Sequence, residues 1–274
     1  MTEAEWLAST HPEAMLDHLL GRRQLPWWRV TDWLRSRPSA AAERPWHSDR
    51  KLRLFACACC RCVSGLLEDR RSRNAVEAAE RCADGLIDED MLAAVRPMAW
   101  EAAMAFEPAA LPPEYGVLGG SSNSGKGRFW AARAAAETTS PGAAEAAQAT
   151  QQAVDRAAVE WGVESGNLQQ AAEMAGANVR ASILRDIFGN PFNPSPPLPP
   201  AVLAWSDRTV PRIAQGIYDE RQLPEGTLDA ARLAVLADAL LDAGCDDEDL
   251  IAHCRSAGPH VRGCWAVDLI LEKE

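Results

Sequence analysis

Two groups of cysteine and histidine residues carry the side chains best suited to chemistry in this chain. Four of the eight cysteines lie in the segment ACACCRC, and three more lie with two histidines in the last thirty residues. Zinc prefers thiolate sulfur and imidazole nitrogen, in tetrahedral sets built from closely spaced pairs. Cys57 and Cys60 are three residues apart and His260 and Cys264 four apart, so each pair would share one face of a helix. The sequence therefore predicts a zinc site that takes its ligands from a subset of Cys57, Cys60, His253, Cys254, His260 and Cys264.

Packing is the simpler interpretation of these cysteines, and the sequence alone favours it over a metal site or a redox-sensing thiol. Cysteine is one of the most frequently buried residue types and packs like a small apolar side chain. Cys59 falls on the apolar stripe of a helix predicted from Asp49 to Leu67, which Ser48 is suited to cap. The N-terminal sequence MTEAEWLAST has no secretory pattern, so we expect a cytoplasmic location in which thiols stay reduced. We therefore expect free thiols and no bound cofactor other than the zinc considered above.

Known catalytic motifs are absent or incomplete. Residues Gly120–Lys126 match the GxxxxGK pattern of a phosphate-binding loop, but Gly127 stands where serine or threonine would hold magnesium. No buried strand is predicted before this segment, so we reject nucleotide hydrolysis. The GxSxG nucleophile motif does not occur. An enzyme that pairs Cys254 or Cys264 with His260 stays open as a third alternative, because such partners meet in space and not in sequence.

Tryptophan is unusually frequent, with 10 residues in a chain of 274. Three of them, Trp27, Trp28 and Trp33, cluster in a short segment flanked by arginine. Tryptophan and arginine are enriched at the energetic centres of protein interfaces, so this cluster predicts a surface for another protein. The alternative is that tryptophan fills the core of a helical protein rich in alanine.

Charge is distributed unevenly along the chain. The formal net charge is −11, yet residues 1–74 carry 13 basic and 9 acidic side chains, while residues 75–274 carry 15 basic and 30 acidic ones. A mostly negative surface repels nucleic acid, and no aromatic-basic motif accompanies the arginine-rich first part. No run approaches the ~20 apolar residues that span a bilayer. We therefore expect neither a nucleic-acid partner nor a membrane partner.

Composition and spacing predict an all-α protein, either a multi-helix bundle or a helical array. Alanine is abundant, whereas Tyr and Phe number only 2 and 5, so helix is favoured over sheet. Residues 190–200, NPFNPSPPLPP, predict an extended linker between two helical subdomains. The final stretch from His260 to Glu272 fits helix or strand, and we favour helix. The predicted regions are an N-terminal helical region with Trp and Cys (1–107), a Pro/Gly/Ser loop (108–127), an alanine-rich helical region (128–189), the linker (190–200) and a C-terminal helical region with the Cys/His cluster (201–274).

Two parts of the chain carry distinctive segments. The first contains SDRKLRLFACACCRC followed by DRRSRNAVEAAERCADG, and the second contains ILRDIFGNPFNP, IAQGIYDER, LADALLDAGC and HCRSAGPHVRGCWAVDLIL. Together they resemble a large paralogous family of uncharacterised proteins found mainly in planctomycete bacteria. The resemblance covers about half of the chain and implies a bacterial, cytoplasmic setting. It implies no activity, because that family has no established biochemical role.

The function that the sequence favours is a non-enzymatic helical module for protein interaction or scaffolding. This interpretation follows from the lack of catalytic motifs and from the ease with which helical arrays bind partners. The alternative is a protein with a structural zinc or a redox-sensing Cys/His site, and the third is an enzyme with a dispersed Cys–His site. Convergence of the cysteine and histidine side chains on one point would favour zinc, whereas dispersal in apolar surroundings would favour packing.

Overall fold

The structure is a computed structural model that describes residues 1–22, 48–106 and 125–273. Its described α-helices are, in chain order, α1 (Glu3–Ala8), α2 (Pro12–Leu19), α3 (Asp49–Arg61), α4 (Arg70–Ala83), α5 (Glu89–Met104), α6 (Lys126–Glu137), α7 (Ala143–Ser165), α8 (Leu168–Ala175), α9 (Ala177–Phe188), α10 (Pro200–Asp219), α11 (Ala230–Asp242), α12 (Glu248–Cys254) and α13 (Trp265–Ile270). Within these ranges, β-sheet pairing is limited to two isolated bridges, both of which involve Thr227. The all-α prediction is confirmed. A transmembrane span is not found among these helices, each of which is too short or too polar for one.

Helix α3 lies at the centre of the larger core. Ser48 caps its N-terminus, as predicted, by accepting a hydrogen bond from the backbone N–H of Lys51 at 3.2 Å. The sequence predicts one apolar stripe on this helix, yet burial extends around it and includes Leu54, Cys57 and Cys60. A helix that is buried all round needs neighbours on every side. Helix α3 accordingly packs against α4, α7 and α9.

Two hydrophobic clusters contain most of the buried apolar side chains. The first cluster is built from α1 to α9, and the second is built from α10 to α13 with their connecting loops. Val261 comes from the C-terminal region but belongs to the first cluster, so the two parts are in direct contact. Division of the chain into separate subdomains at residues 190–200 stays a prediction.

Three helix boundaries differ from those predicted from the sequence. The helix predicted from Asp49 to Leu67 ends at Arg61. Helix α6 begins at Lys126, so the end of the predicted loop 108–127 is helical, while residues 107–124 lie outside the described ranges. Helix was also favoured from His260 onward, but α13 begins only at Trp265. The reason is local, because Pro259 lacks a donor and Gly263 has a φ of +91°, which a helix does not accommodate.

A buried charge cluster joins the first core to the C-terminal region, and we call it the Asp84 cluster (Arg50, Asp84, Tyr218, Arg262 and Asp268). The hydroxyl of Tyr218 donates to Asp84 at 2.6 Å. Nε of Arg262 donates to the same carboxylate at 2.8 Å, and Nε of Arg50 does so at 3.2 Å. Arg50 also binds both oxygens of Asp268, at 2.6 and 3.0 Å. Because both carboxylate side chains are 2% exposed, these contacts fix α3 relative to α10 and α13.

Gly189 follows α9 at a point where backbone conformation and space both require glycine. Its φ is +65° and its ψ is −142°, a combination that other residues seldom adopt. A Cβ atom at this position would lie 3.2 Å from Cγ of Trp265. Gly189→Ala should therefore lower the free energy of unfolding by about 2–4 kcal/mol in urea denaturation, from backbone strain and overpacking together.

Gly166→Ala is the matched control for this substitution. Gly166 also has a positive φ, of +70°, but nothing lies within 4 Å of an added Cβ. The control should lose only roughly 1–2 kcal/mol, the cost of the left-handed conformation alone. Equal losses at the two positions would show that contact with Trp265 contributes nothing.

Candidate metal centre

Four side chains with metal-ligating atoms converge between α9 and the C-terminal region. They belong to Asp186, His253, His260 and Cys264, and one ligand atom from each lies within 4.8 Å of the others. Asp186 lies near the end of α9 and His253 in the last turn of α12. His260 lies in the loop that follows α12, and Cys264 directly precedes α13. We call this group the Asp186 site.

The closest contacts of the site converge on two atoms, Nε2 of His253 and Oδ1 of Asp186. These two atoms lie 3.1 Å apart, and the same nitrogen lies 3.2 Å from Sγ of Cys264. Nδ1 of His260 lies 3.0 Å from Oδ1 of Asp186. A tetrahedral zinc ion with bonds of ~2.0–2.3 Å holds its ligand atoms roughly 3.3–3.8 Å apart. Small side-chain shifts would therefore admit an ion among these four atoms.

The contacts of His260 contain a conflict that a cation would remove. Nε2 of this ring lies 3.1 Å from the carbonyl oxygen and 3.2 Å from the hydroxyl of Ser256. A carbonyl only accepts and a hydroxyl also accepts, so both contacts are satisfied when Nε2 carries the proton. In the neutral ring, Nδ1 then presents a lone pair to Oδ1 of Asp186, which is another acceptor. Three arrangements are compatible with these contacts: both ring nitrogens are protonated, the proton lies on Nδ1 while Nε2 accepts from the Ser256 hydroxyl, or a metal ion lies between Nδ1 and the carboxylate.

Burial and hydrogen bonding together set the protonation of the site, where Asp186, His260 and Cys264 are at most 3% exposed. Burial disfavours the Asp186 carboxylate, but hydrogen bonds with His253 and His260 outweigh it and hold the pKa of Asp186 below its ordinary value. Burial also disfavours charged His260, yet its contact with Asp186 raises the pKa of the ring. Burial and the charge of Asp186 raise the pKa of Cys264 well above its usual range. The sulfur is therefore a thiol until a metal displaces its proton.

Each element of the site is anchored in one of the two hydrophobic clusters. Leu184 is buried in the first cluster and fixes α9, which carries Asp186. Leu250 is buried in the second cluster and fixes α12, which carries His253. The backbone N–H of Val261 donates to Oδ2 of Asp186 at 2.8 Å, so the loop with His260 is tied directly to α9. Helix packing and this hydrogen bond together place the ligand atoms.

The cysteines of α3 do not belong to the Asp186 site, so only C-terminal members of the six candidates predicted from the sequence meet there. Cys57 and Cys60 are 1% and 0% exposed and pack within the first hydrophobic cluster. The thiol of Cys57 donates a weak hydrogen bond to the carbonyl oxygen of Val76 at 3.8 Å. Burial raises the pKa of Cys57, and it raises that of Cys60 to about 12. These thiols face apolar neighbours of α3, which explains why they do not meet the C-terminal ligands.

The C-terminal part of the predicted ligand set is brought together except for one residue. His253, His260 and Cys264 supply ligand atoms to the Asp186 site. Cys254 instead packs in the second hydrophobic cluster, where burial raises its pKa to about 12. Consecutive residues of a helix point in directions roughly 100° apart, so α12 cannot aim both His253 and Cys254 at one point. All eight cysteines are free, as predicted.

Asp186 is the member of the site that the sequence analysis missed. It lies in the segment RDIFGNPF, which contributed only to the family resemblance. Its neighbours Leu184 and Ile187 are both buried, so α9 carries this acid into apolar surroundings. Aspartate is almost never fully buried unless it is paired, and an isolated acid in an apolar helical segment was therefore the available signal.

The predicted partner surface falls outside the described residues. Trp27, Trp28 and Trp33 all lie in the range 23–47, which the structure does not describe. The sequence matching a phosphate-binding loop, Gly120–Lys126, is described only from Gly125 onward. The partner surface thus stays a prediction.

Comparison with models of known protein families finds no match for this chain. No curated protein matches it, and neither does any solved structure. The Asp186 site is therefore interpreted from its own chemistry.

Proposed function

We propose that this protein binds a zinc ion at the Asp186 site and that the ion holds the C-terminal region against the first core. One observation carries the proposal, namely that a carboxylate, two imidazoles and a thiol lie within 4.8 Å of one another. Zinc accepts these donors in tetrahedral sites. Calcium and magnesium prefer shells of oxygen ligands, whereas this site offers oxygen from a single carboxylate. The donor set therefore favours zinc.

The number of ligands supports a structural ion. Catalytic zinc keeps a coordination position open for water, whereas four protein ligands complete a tetrahedral shell. Asp186 precedes the segment 190–200, and the other three ligands follow it. An ion held by all four ties the two sides of this segment together. The unfolded chain has no preformed site, so the free energy of metal binding adds to the stability of the fold.

A catalytic Cys–His pair fits the geometry less well. The thiol of Cys264 and the carboxylate of Asp186 both contact Nε2 of His253. In a nucleophile–base–acid relay, the two partners contact different nitrogens of the ring. Cys264 is also 0% exposed, and its raised pKa keeps the sulfur protonated. These features favour a ligand over a nucleophile.

The wider role that we propose is a non-enzymatic helical module in which zinc has a structural part. A protein partner remains part of this proposal, and the helical architecture supports it. Membership of the planctomycete family and a bacterial, cytoplasmic setting are likewise proposals, which rest on the segments SDRKLRLFACACC, RDIFGNPF and HCRSAGPHVRGCWAVDLIL.

Cys264→Ala tests the metal site against a matched control. Cys264 and Cys254 are both 0% exposed and lie in the second hydrophobic cluster, but only Cys264 belongs to the Asp186 site. Wild-type protein purified without added metal should contain one zinc ion per chain by mass spectrometry. Cys264→Ala should weaken zinc binding by at least roughly 100-fold in chelator competition, while Cys254→Ala should bind like the wild type.

Cobalt substitution gives an independent readout of the same site. A cobalt ion bound by one thiolate produces a charge-transfer absorption, which Cys254→Ala should retain and Cys264→Ala should lose. A folded wild-type protein that takes up neither zinc nor cobalt would overturn the proposal. Equal zinc affinity of the two variants would exclude Cys264 as a ligand.

A further inference from the structure

A cleft opens beside the Asp186 site, between α1, the segment after α9, the start of α3 and α13. Its volume is about 590 Å³, which lies within the range of small-molecule sites. His253 and Trp265 form part of its wall, with ring centroids 4.9 Å apart. Phe188 and Leu269 extend the apolar part of this wall. The cleft therefore offers an apolar, partly aromatic surface to a small molecule.

Three cationic side chains line the cleft without a carboxylate partner among the described residues. Lys51 is half-buried, and its amino group makes no hydrogen bond or ion pair in that part of the chain. Arg185 donates to neutral groups, with its best hydrogen bond to the carbonyl oxygen of Ser9 at 2.9 Å. The amino group of Lys273 lies over the ring of Tyr218, 4.7 Å from its centroid. None of these three cations is thus held in an ion pair with a carboxylate among the described residues.

Three acidic side chains, Glu3, Asp249 and Asp268, also line the cleft. Both oxygens of Asp268 are bound by Arg50. Glu3 accepts a hydrogen bond from Nδ2 of Asn190 at 2.6 Å. Asp249 is exposed in the first turn of α12, where the helix dipole favours negative charge. None of these acids forms an ion pair with a cation of the cleft within the described ranges.

Lys51 is the strongest indication of a ligand. Burial lowers the pKa of Lys51, and the nearby charge of Asp268 opposes this shift only in part. A half-buried cation without a partner is unfavourable in a folded protein. An anion that entered the cleft would supply the missing partner, in a chain whose overall charge of −11 otherwise repels anions.

We propose that this cleft binds a small organic anion, whose carboxylate or phosphate group pairs with Lys51 and whose apolar part packs against Trp265. Arg185 and Lys273 add positive potential around the charged group. The volume of the cleft accommodates an organic body in addition to the anionic group. None of the three cations belongs to the Asp186 site, although His253 lines the cleft and is also one of the proposed zinc ligands.

Titration of the full-length protein with benzoate, phenyl phosphate and benzamide, followed by calorimetry, tests this inference. The two anions share an aromatic ring and differ in their charged group, while benzamide is an uncharged analogue. We expect at least one anion to bind, with an affinity that falls as NaCl rises from ~0.05 to ~0.5 M. Preference between benzoate and phenyl phosphate separates a carboxylate ligand from a phosphate ligand.

Lys51→Met removes the charge and keeps an apolar stem, and it should weaken anion binding at least tenfold. Lys126→Met is the matched control, because Lys126 is also a half-buried lysine in the first turn of a helix but lies outside the cleft. The control should bind like the wild type. Without ligand, Lys51→Met should unfold at the same or a higher temperature than the wild type, since a cation without a partner is removed.

Three outcomes would overturn the inference: no binding of either anion, equal binding of benzamide, or wild-type affinity in Lys51→Met. The salt dependence and the benzamide comparison use the wild type, so they decide the question even if the variant folds poorly. Zinc content is measured in every sample. A failure of anion binding in zinc-loaded protein is thereby distinguished from a failure of the metal site.

Discussion

Asp186→Ala should lower the free energy of unfolding of the metal-free protein by about 3–5 kcal/mol and should abolish zinc binding. Asp186 is 2% exposed, and its oxygens contact both histidines of the site and the backbone N–H of Val261. Alanine removes all of these contacts at once and leaves a buried N–H without its acceptor. Urea denaturation in the presence of a chelator measures the loss of stability, and mass spectrometry measures the loss of zinc.

Asp186→Asn separates the charge of this residue from its hydrogen bonds. Asparagine keeps the side-chain volume and an acceptor oxygen for Val261, so the metal-free variant should be more stable than Asp186→Ala. It should still bind zinc weakly, because a neutral amide oxygen is a poorer ligand than a carboxylate. If Asp186→Ala in chelator were as stable as the wild type, the carboxylate would have no packing role. If Asp186→Ala still bound one zinc ion per chain, the carboxylate would not be a ligand.

Asp84→Ala should also lower the free energy of unfolding by about 3–5 kcal/mol, through a different cluster. The carboxylate binds Arg50, Tyr218 and Arg262, and its side chain is 2% exposed. Arg50 keeps its contact with Asp268 in the variant, but Arg262 loses the carboxylate that it contacts in the described structure. A largely buried guanidinium is then left uncompensated. Thermal and urea denaturation measure the loss.

An exposed ion pair provides the comparison for Asp84→Ala. The carboxylate of Asp238 binds Arg255 at 2.6 Å, but its side chain is 70% exposed. Asp238→Ala should therefore change the free energy of unfolding by only about 0.2–1 kcal/mol, because solvent screens the pair. Equal losses for the two variants would contradict the importance that we assign to burial in the Asp84 cluster.

The contribution of Asp84 to the stability of the fold depends on pH, and the sign follows from the shift in the pKa of its carboxylate. Burial disfavours its charged form, but Tyr218, Arg262 and Arg50 outweigh burial and lower the pKa of Asp84. A carboxylate with a lowered pKa stabilises the fold above its unfolded value of about 3.9, and this stabilisation is lost as the pH falls through the folded pKa. Between about pH 6 and pH 3, the wild type should therefore lose more stability than Asp84→Ala. Parallel losses in the two proteins would contradict this assignment.

Local sequence features were sufficient to predict the helical class and some of its details. Helical hydrogen bonds form within one segment, so abundant alanine and a capping residue such as Ser48 carry most of the necessary information. The burial of Cys59 followed from its position on an apolar stripe, which is also a local property. The free state of the cysteines was instead predicted from the expectation of a reducing compartment.

Helical spacing alone did not predict which side chains meet when the contact involves a second helix or loop. The pair Cys57 and Cys60 and the pair His260 and Cys264 were predicted from the same reasoning, yet only the second pair reaches the Asp186 site. That pair converges through the loop before α13, although the sequence analysis placed it on one helix face. Spacing specifies which residues share a face of a helix, but it does not specify what that face contacts.

The sequence by itself determined an all-α protein, the burial of Cys59 and a set of six candidate ligands that includes His253, His260 and Cys264. Only the tertiary structure added Asp186, which lies 67 residues before His253, and removed the cysteines of α3 and Cys254 from the set. It also decided that Lys51 faces a cleft without a partner among the described residues. The physical reason is that ligand sets and unpaired charges depend on the packing of distant helices, and no periodicity along the chain encodes that packing.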